Sequence, residues 1–348
     1  MSRIAVVLFN LGGPDSPATV RPFLFNLFND PAIISAPGPL RWLLAQFISR
    51  RRAPVAKEIY AHLGGKSPLL ALTQHQADAL QSALSHLGDV QVFVCMRYWH
   101  PFSDAVAQAV KEFDPDEIVL LPLYPQYSTT TVKSSLADWQ KAAARAGLSA
   151  PQQAVCCYPT ATRWIAAQAA LIRTALAGAE KSTRVLFSAH GLPKKIIAGG
   201  DPYVWQVEQT AAAVVAALGG LDDWVVCYQS RVGPLEWIGP ATEDELARAG
   251  ADGVAVCVVP IAFVSEHSET LVELDIEYRA VAAGLGVPVY TRVPAVGVHP
   301  DFIAGLAELV VSVLTDDAPN PYGGAGGGRL CPPELSACPC QQVAERHV

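Results

Sequence analysis

Two stretches of this 348-residue chain carry side chains suited to handling a divalent cation and a proton. The apolar run Val185-Leu-Phe-Ser-Ala-His ends on His190, and the small residues Ser188 and Gly191 permit a tight turn that exposes its ring. Neutral imidazole accepts a proton or binds a metal, although a histidine closing a strand also serves as a satisfied structural residue. The second stretch is Ser265-Glu-His-Ser-Glu-Thr-Leu-Val-Glu-Leu-Asp-Ile-Glu, directly after another apolar run, with Ser265 as a candidate helix N-cap. On an α-helix Glu266, Glu269, Glu273 and Glu277, spaced by three and four, form one acidic stripe, and Asp275 lies off it. No Lys or Arg interrupts the segment, so the stripe repels itself unless cations or water screen it. A solvated helix face fits that description as well. His267 and the strand-end position favour a path for a hydrated metal, because carboxylate and imidazole hold a labile divalent ion without the permanence of thiolates.

Around these stretches lie Tyr60, Tyr98, Trp99, Tyr124, Tyr127, Tyr203, Trp237 and Phe263. Any one of them fits a core; together they can wall a large flat apolar ligand. Arg97 and the run Arg50-Arg-Arg supply cations for that ligand's carboxylates. The 8 cysteines divide by setting. Cys95, Cys227 and Cys257 lie in apolar runs and read as small core residues. Cys331, Cys338 and Cys340 sit in a short tail that offers three thiolates where a tetrahedral site needs four. A fourth must come from the body, where Cys156 and Cys157 are available. Zinc is the generic occupant of such a site, and a free tail is the alternative.

The elements that must position these residues follow from the apolar pattern. Runs at 3–10, 90–96, 117–123 and 154–158, then at 184–189, 224–228, 253–260 and 288–293, read as buried strands. Ala- and Leu-rich helical segments at 70–87, 164–177, 204–218, 268–283 and 299–314 come between and after them. Continuous apolar strands alternating with helices imply parallel sheets covered on both faces and an α/β doubly wound fold, here as two four-stranded lobes meeting at a cleft. The loops carrying the unusual residues all follow strands, where an open parallel sheet places its ligand crevice. The expected division is a first lobe over 1–160, a second over 161–298, a terminal helix over 299–315 packing across both, and a Gly/Pro linker with the Cys tail over 316–348. Hydrophobic residues make up 51% and charged residues 16%, which excludes a disordered chain, and a net charge of -7 gives no support to bulk nucleic-acid binding. With no apolar run of bilayer length and no secretory signal, a cytoplasmic location is expected. The segment 39–52, with Trp42, Leu43, Leu44, Phe47 and Ile48 beside basic residues, reads either as a helix packed on the cleft or as one lying on an anionic membrane surface.

Eight motifs in order, from Phe9-Asn-Leu-Gly-Gly-Pro through Leu63-Gly-Gly-Lys-Ser-Pro-Leu, Met96-Arg-Tyr-Trp-His-Pro, Tyr124-Pro-Gln-Tyr-Ser-Thr-Thr-Thr, Ser188-Ala-His-Gly-Leu-Pro, Gly200-Asp-Pro-Tyr and Gln229-Ser-Arg-Val-Gly-Pro to Pro260-Ile-Ala-Phe-Val-Ser-Glu-His-Ser-Glu, resemble the ferrochelatase family. The resemblance implies a class II chelatase-like fold, protoporphyrin IX and Fe2+ as substrates, and protohaem as product. It places the proton-accepting, metal-contacting histidine on His190, the partner carboxylate on Glu269 and an acidic lead-in on Glu273. Leu11, Tyr60, Arg97, Tyr98, Tyr127, Trp237, Phe263, Glu266 and His267 match substrate-pocket or adjoining positions. Some family members hold a 2Fe–2S cluster on a C-terminal cysteine tail, which shifts the tail reading from zinc to that cluster, with Cys157 joining Cys331, Cys338 and Cys340. Thr129 stands near the internal cysteine of animal enzymes, in keeping with a bacterial-type arrangement. A cobalt-inserting class II chelatase, a porphyrin or haem carrier and an Fe–S sensor are the rival readings. An acidic stripe leading to His190 is superfluous in a carrier.

Overall fold

Strands buried on both faces need apolar residues at successive positions, and β1 (Arg3–Asn10) meets this with Ile-Ala-Val-Val-Leu-Phe, buried throughout. It forms the centre of a parallel sheet with β2 (Asp89–Met96), β3 (Glu117–Pro122) and β4 (Gln152–Val155). Leu8 pairs with Val94 on one side and Leu121 on the other. The second parallel sheet has β5 (Thr183–His190) between β6 (Trp224–Gln229) and β7 (Ala255–Pro260), with β8 (Tyr290–Arg292) at the edge. Burying each aliphatic side chain of these central strands stabilises the fold by about 1.5–3 kcal/mol. The eight strands and their helical crossovers are those the apolar pattern requires. To the first sheet is added β9 (Tyr322–Gly323), two residues paired parallel to Ala154 and Val155. It comes from the Gly-rich stretch that composition assigns to a linker.

The computed structural model describes residues 2–178, 182–231, 233, 235–315, 322–323 and 329–340. Its contacts divide the chain into one unit of Met1–Cys157 with Leu306–Gly328 and another of Tyr158–Gly305 with Arg329–Val348. Among the described residues no helix is long and apolar enough to cross a membrane.

The acidic segment departs from the expected α-helix. From Glu269 to Glu277 it is a π-helix, and only Tyr278–Gly284 is α-helical. The wider π turn hydrogen-bonds less favourably and persists where outside contacts compensate. Here those contacts come from β5, the loop after β6, and β8.

Candidate active site

β5 delivers His190 at its carboxyl end, in register with Gln229 at the end of β6. Gly191 follows because the chain leaves hard against its neighbour. A Cβ there would lie 2.8 Å from the Gln229 carbonyl oxygen and 3.4 Å from the Trp237 ring. His190 Nδ1 lies 2.6 Å from the Gly191 carbonyl oxygen. A carbonyl only accepts, so Nδ1 carries the hydrogen, and Nε2 is left to take up a proton or a metal.

Glu269 sits between two imidazoles. Its Oε1 is 3.5 Å from His190 Nε2 and its Oε2 is 3.5 Å from His267 Nε2. Burial works against a charged His190, but the Glu269 carboxylate outweighs it and lifts the imidazole to about 9. In the same way burial would raise Glu269, and the charge and hydrogen bond of His190 hold it well below the usual carboxylate range instead. Phe263 packs on His267 with ring centroids 4.8 Å apart, and His267 Nδ1 is buried without a hydrogen-bond partner among the described residues.

Glu273, four residues along the same helix, has a different set of neighbours. It accepts from the Ser230 N–H at 2.8 Å, the Ser230 hydroxyl at 2.5 Å, the Gln229 amide at 3.0 Å and the Tyr278 hydroxyl at 3.2 Å. Ser230 adopts φ 61, a left-handed conformation rare outside glycine, and this turns its N–H onto the carboxylate. Even so, burial and the nearby Glu269 charge raise Glu273 above the ordinary range. Two carboxylates on one helix are thus pushed in opposite directions, Glu269 down and Glu273 up.

Glu266 and Asp275 belong to neither group, because Arg292 takes both. Its Nη1 is 2.6 Å from Glu266 Oε1, and its Nη2 and Nε reach the two Asp275 oxygens at 2.5 and 3.0 Å. The Ala295 N–H adds a 3.0 Å bond to Glu266. Glu277 is exposed. The expected single acidic stripe is therefore divided, with internal counter-ions on one part and histidines on the other. Sequence reasoning missed Arg292; the one signal was a cation in an otherwise apolar edge strand. It also passed over Gln229 and Ser230, which lie inside a quoted motif.

In the first unit, Arg97 and Tyr98 converge on Asp30, which is itself 3% exposed. Arg97 Nη2 and the Tyr98 hydroxyl both lie 2.8 Å from Asp30 Oδ2, the Ser134 hydroxyl donates to the same oxygen, and Arg97 Nε donates to Ser134 at 2.8 Å. The guanidinium expected to meet substrate is thus committed to a buried carboxylate that sequence reasoning did not single out. Leu11 is half-buried against the cluster of Tyr60, Tyr98 and Trp99, and Tyr127 is buried.

In the tail, Cys338 is drawn down to about 3 by hydrogen bonds with Cys331 and Cys340, which outweigh its burial. Gln206 Nε2 donates to Cys331 Sγ at 3.1 Å. The tail is seated on Gly200, whose carbonyl accepts from the Ala337 N–H at 3.1 Å. At φ +86 a side chain there is strained, and its Cβ would come within 2.5 Å of Ser336 Oγ. Neighbouring thiols that stabilise a thiolate fit an iron–sulfur group in donor chemistry. Among the described residues, however, no group of three or more His, Cys, Asp or Glu side chains is arranged to hold a metal ion. Cys156 and Cys157 are buried just beyond β4.

The fold is one that known chelatases share. SirB from Bacillus subtilis with Fe3+ superposes with a TM-score of 0.54 at 13% identity, covering 90% of this chain and 96% of that one. The sirohydrochlorin chelatase SirB from Bacillus subtilis subspecies spizizenii, in complex with cobalt, gives 0.52 at 12% over 89% and 94%. At such identities these define a chelatase-like fold and nothing finer. In sequence, the Ferrochelatase family model matches residues 3–314. The ferrochelatase of Caulobacter vibrioides is 53% identical over 347 residues, covering 98% of this chain and 99% of that protein. The chain belongs to the ferrochelatase family, whose members insert iron into porphyrin.

The ion pair gives a pH signature. His190 is raised above its unfolded value of about 6.5, so the stability it gains from Glu269 is complete below that pH and is lost as pH rises through about 9. Glu269 is depressed, so its share is lost on acidification through its lowered folded value. In Glu269→Gln the imidazole should titrate near or below 6.5, followed by NMR of the ring. An unchanged titration would show that Glu269 is not its partner.

Proposed function

We propose that this protein inserts Fe2+ into protoporphyrin IX to give protohaem, the terminal step of haem synthesis. The observation that carries the reading is the Glu269 carboxylate held between His190 and His267, with Glu273 beside it shifted upward where Glu269 is held down. Insertion must remove two pyrrole protons as the metal enters. The Glu269 carboxylate favours the protonated imidazole at His190, which would rest as an imidazolium. A divalent cation arriving at Glu269 repels that proton and frees Nε2, which then contacts the metal or takes a pyrrole proton. Glu273, with its raised affinity for a proton, receives what His190 releases and passes it outward. Phe263 packs on His267, and Trp237 stands against Gly191, so these side chains would meet a porphyrin brought to His190; Leu11, Tyr60, Tyr98 and Tyr127 belong to the first unit, where Arg97 is tied to Asp30 and Ser134. Holding the ring bent would expose its nitrogen lone pairs.

We further infer that Cys331, Cys338 and Cys340, with Cys157, ligate a 2Fe–2S cluster, which would supply a redox-active iron–sulfur group; the support is the tail's thiolate chemistry. The helix Gly38–Ala61 exposes Leu40, Trp42, Leu43, Phe47 and Val55, with Arg50 and Arg51 also exposed. This supports a cytoplasmic enzyme resting that helix on the anionic inner face of a membrane, where an apolar porphyrin partitions.

His190→Ala should abolish insertion of Fe2+ or Zn2+ into protoporphyrin while circular dichroism stays native; near-wild-type turnover would refute the assignment. Protein purified without oxygen should be coloured and contain equal iron and sulfide, lost in Cys338→Ser, whereas a colourless zinc-loaded protein would count against the cluster. Liposome flotation should show binding to anionic vesicles that weakens in Arg50→Glu/Arg51→Glu, and equal flotation of both proteins would remove the membrane reading.

A further inference from the structure

Gln229 bonds to the chain beside His190 and to both Glu269 and Glu273. Its carbonyl accepts the Gly191 N–H at 2.8 Å, immediately beside His190. Its side-chain Nε2 donates to the Glu269 carbonyl oxygen and to Glu273 Oε2, both at 3.0 Å. Its Oε1 accepts from the hydroxyl of Ser188, two residues before His190 on β5, at 2.9 Å. Ser188 Oγ in turn lies 2.9 Å from Thr242 Oγ1. Gln229, Ser188 and Thr242 are all fully buried.

The amide has one workable orientation. The Glu269 carbonyl only accepts and Glu273 accepts when ionised, so a flipped amide would set oxygen against oxygen at both. Leaving such buried groups unpaired is costly. The Ser188 hydroxyl, backed by Thr242, donates to the amide oxygen from the other side. The strand that bears His190 and the π-helix that bears Glu269 and Glu273 are thus joined through a single side chain.

We infer that Gln229 is a positioning residue for metal insertion: it sets the carboxylate helix against His190 and controls how readily Glu273 releases its proton, with Ser188 fixing its amide. This rests on the proposed chelatase activity. The groups facing Glu273 are Glu269 on its own helix, His190 from β5, Gln229 and Ser230 from the end of β6, and Tyr278 from the following helix turn. Of these, Gln229 is a neutral side chain that bonds both the helix backbone and the carboxylate. Removing its N–H takes a donor from the ionised form, so Glu273 must hold its proton more tightly.

The test compares wild type, Gln229→Leu and Ser188→Ala in Zn2+ insertion into protoporphyrin across pH, alongside a carboxyl-carbon NMR titration of Glu273. Gln229→Leu should lower kcat by about tenfold or more, the scale of a hydrogen bond to a charged group, with KM for porphyrin within about twofold. Its kcat profile and its Glu273 titration should both move to higher pH. Ser188→Ala, which touches neither carboxylate, should shift both in the same direction by less, and it carries the test if Gln229→Leu does not fold. A loss confined to KM or to Tm, or unshifted titrations in both variants, would overturn the inference. An inactive wild type would instead refute the chelatase reading, and the Glu273 titration would still decide the role of Gln229.

Discussion

The Glu269 carboxylate keeps its charge in a partly buried site because an imidazole stands on each side of it, and much of the second unit is arranged so that this remains true. Four acidic side chains within ten residues would otherwise compete for the same cations and suppress one another's ionisation. The fold separates them by giving each its own neighbours. Arg292 neutralises Glu266 and Asp275, Ser230 and Gln229 tether Glu273, and Glu269 lies 3.5 Å from each of two histidines. An ion pair with bidentate geometry at a buried guanidinium costs desolvation, which these short contacts offset; removing either partner leaves a buried charge alone. The polarity of the site thus comes from how carboxylates are divided, more than from how many there are.

The π-helical segment is the structural means of that division. Its hydrogen bonds are weaker than those of an α-helix, and it is anchored from three sides by groups that do not belong to it. Its position therefore depends on those outside contacts, from β5, the loop after β6, and β8.

Much of the fold could be read from the chain because strands buried on both faces leave uninterrupted apolar runs, such as 4–9 and 255–260. His190 was legible as a candidate because it ends such a run, and Glu269 because its segment follows one, where parallel sheets place ligands. The rest depended on contacts distant in sequence. Arg292 lies 26 residues from Glu266 and 17 from Asp275, so neither pairing leaves a local trace. Arg97 reads as an anion-binding side chain by type, and only the fold assigns it to Asp30, 67 residues away. The π geometry is likewise hidden, because residues four apart share a face in both helix types. Nor does composition reveal β9, since a two-residue strand in a Gly-rich stretch has no periodicity to detect.

That two-residue strand has a bearing on how the chain comes to be folded as it is made. The first unit is discontinuous: it begins at the amino terminus and is completed by residues after 305. During synthesis β1 to β4 emerge early, but the outer edge of β4 stays uncovered until Tyr322 and Gly323 leave the ribosome, by which time the whole second sheet has been translated. An open parallel edge of this kind is where a nascent chain can pair with the wrong strand. Truncation before residue 322 would therefore do more than shorten a tail. It would leave exposed an edge of β4 that is otherwise paired only after the second sheet has been translated.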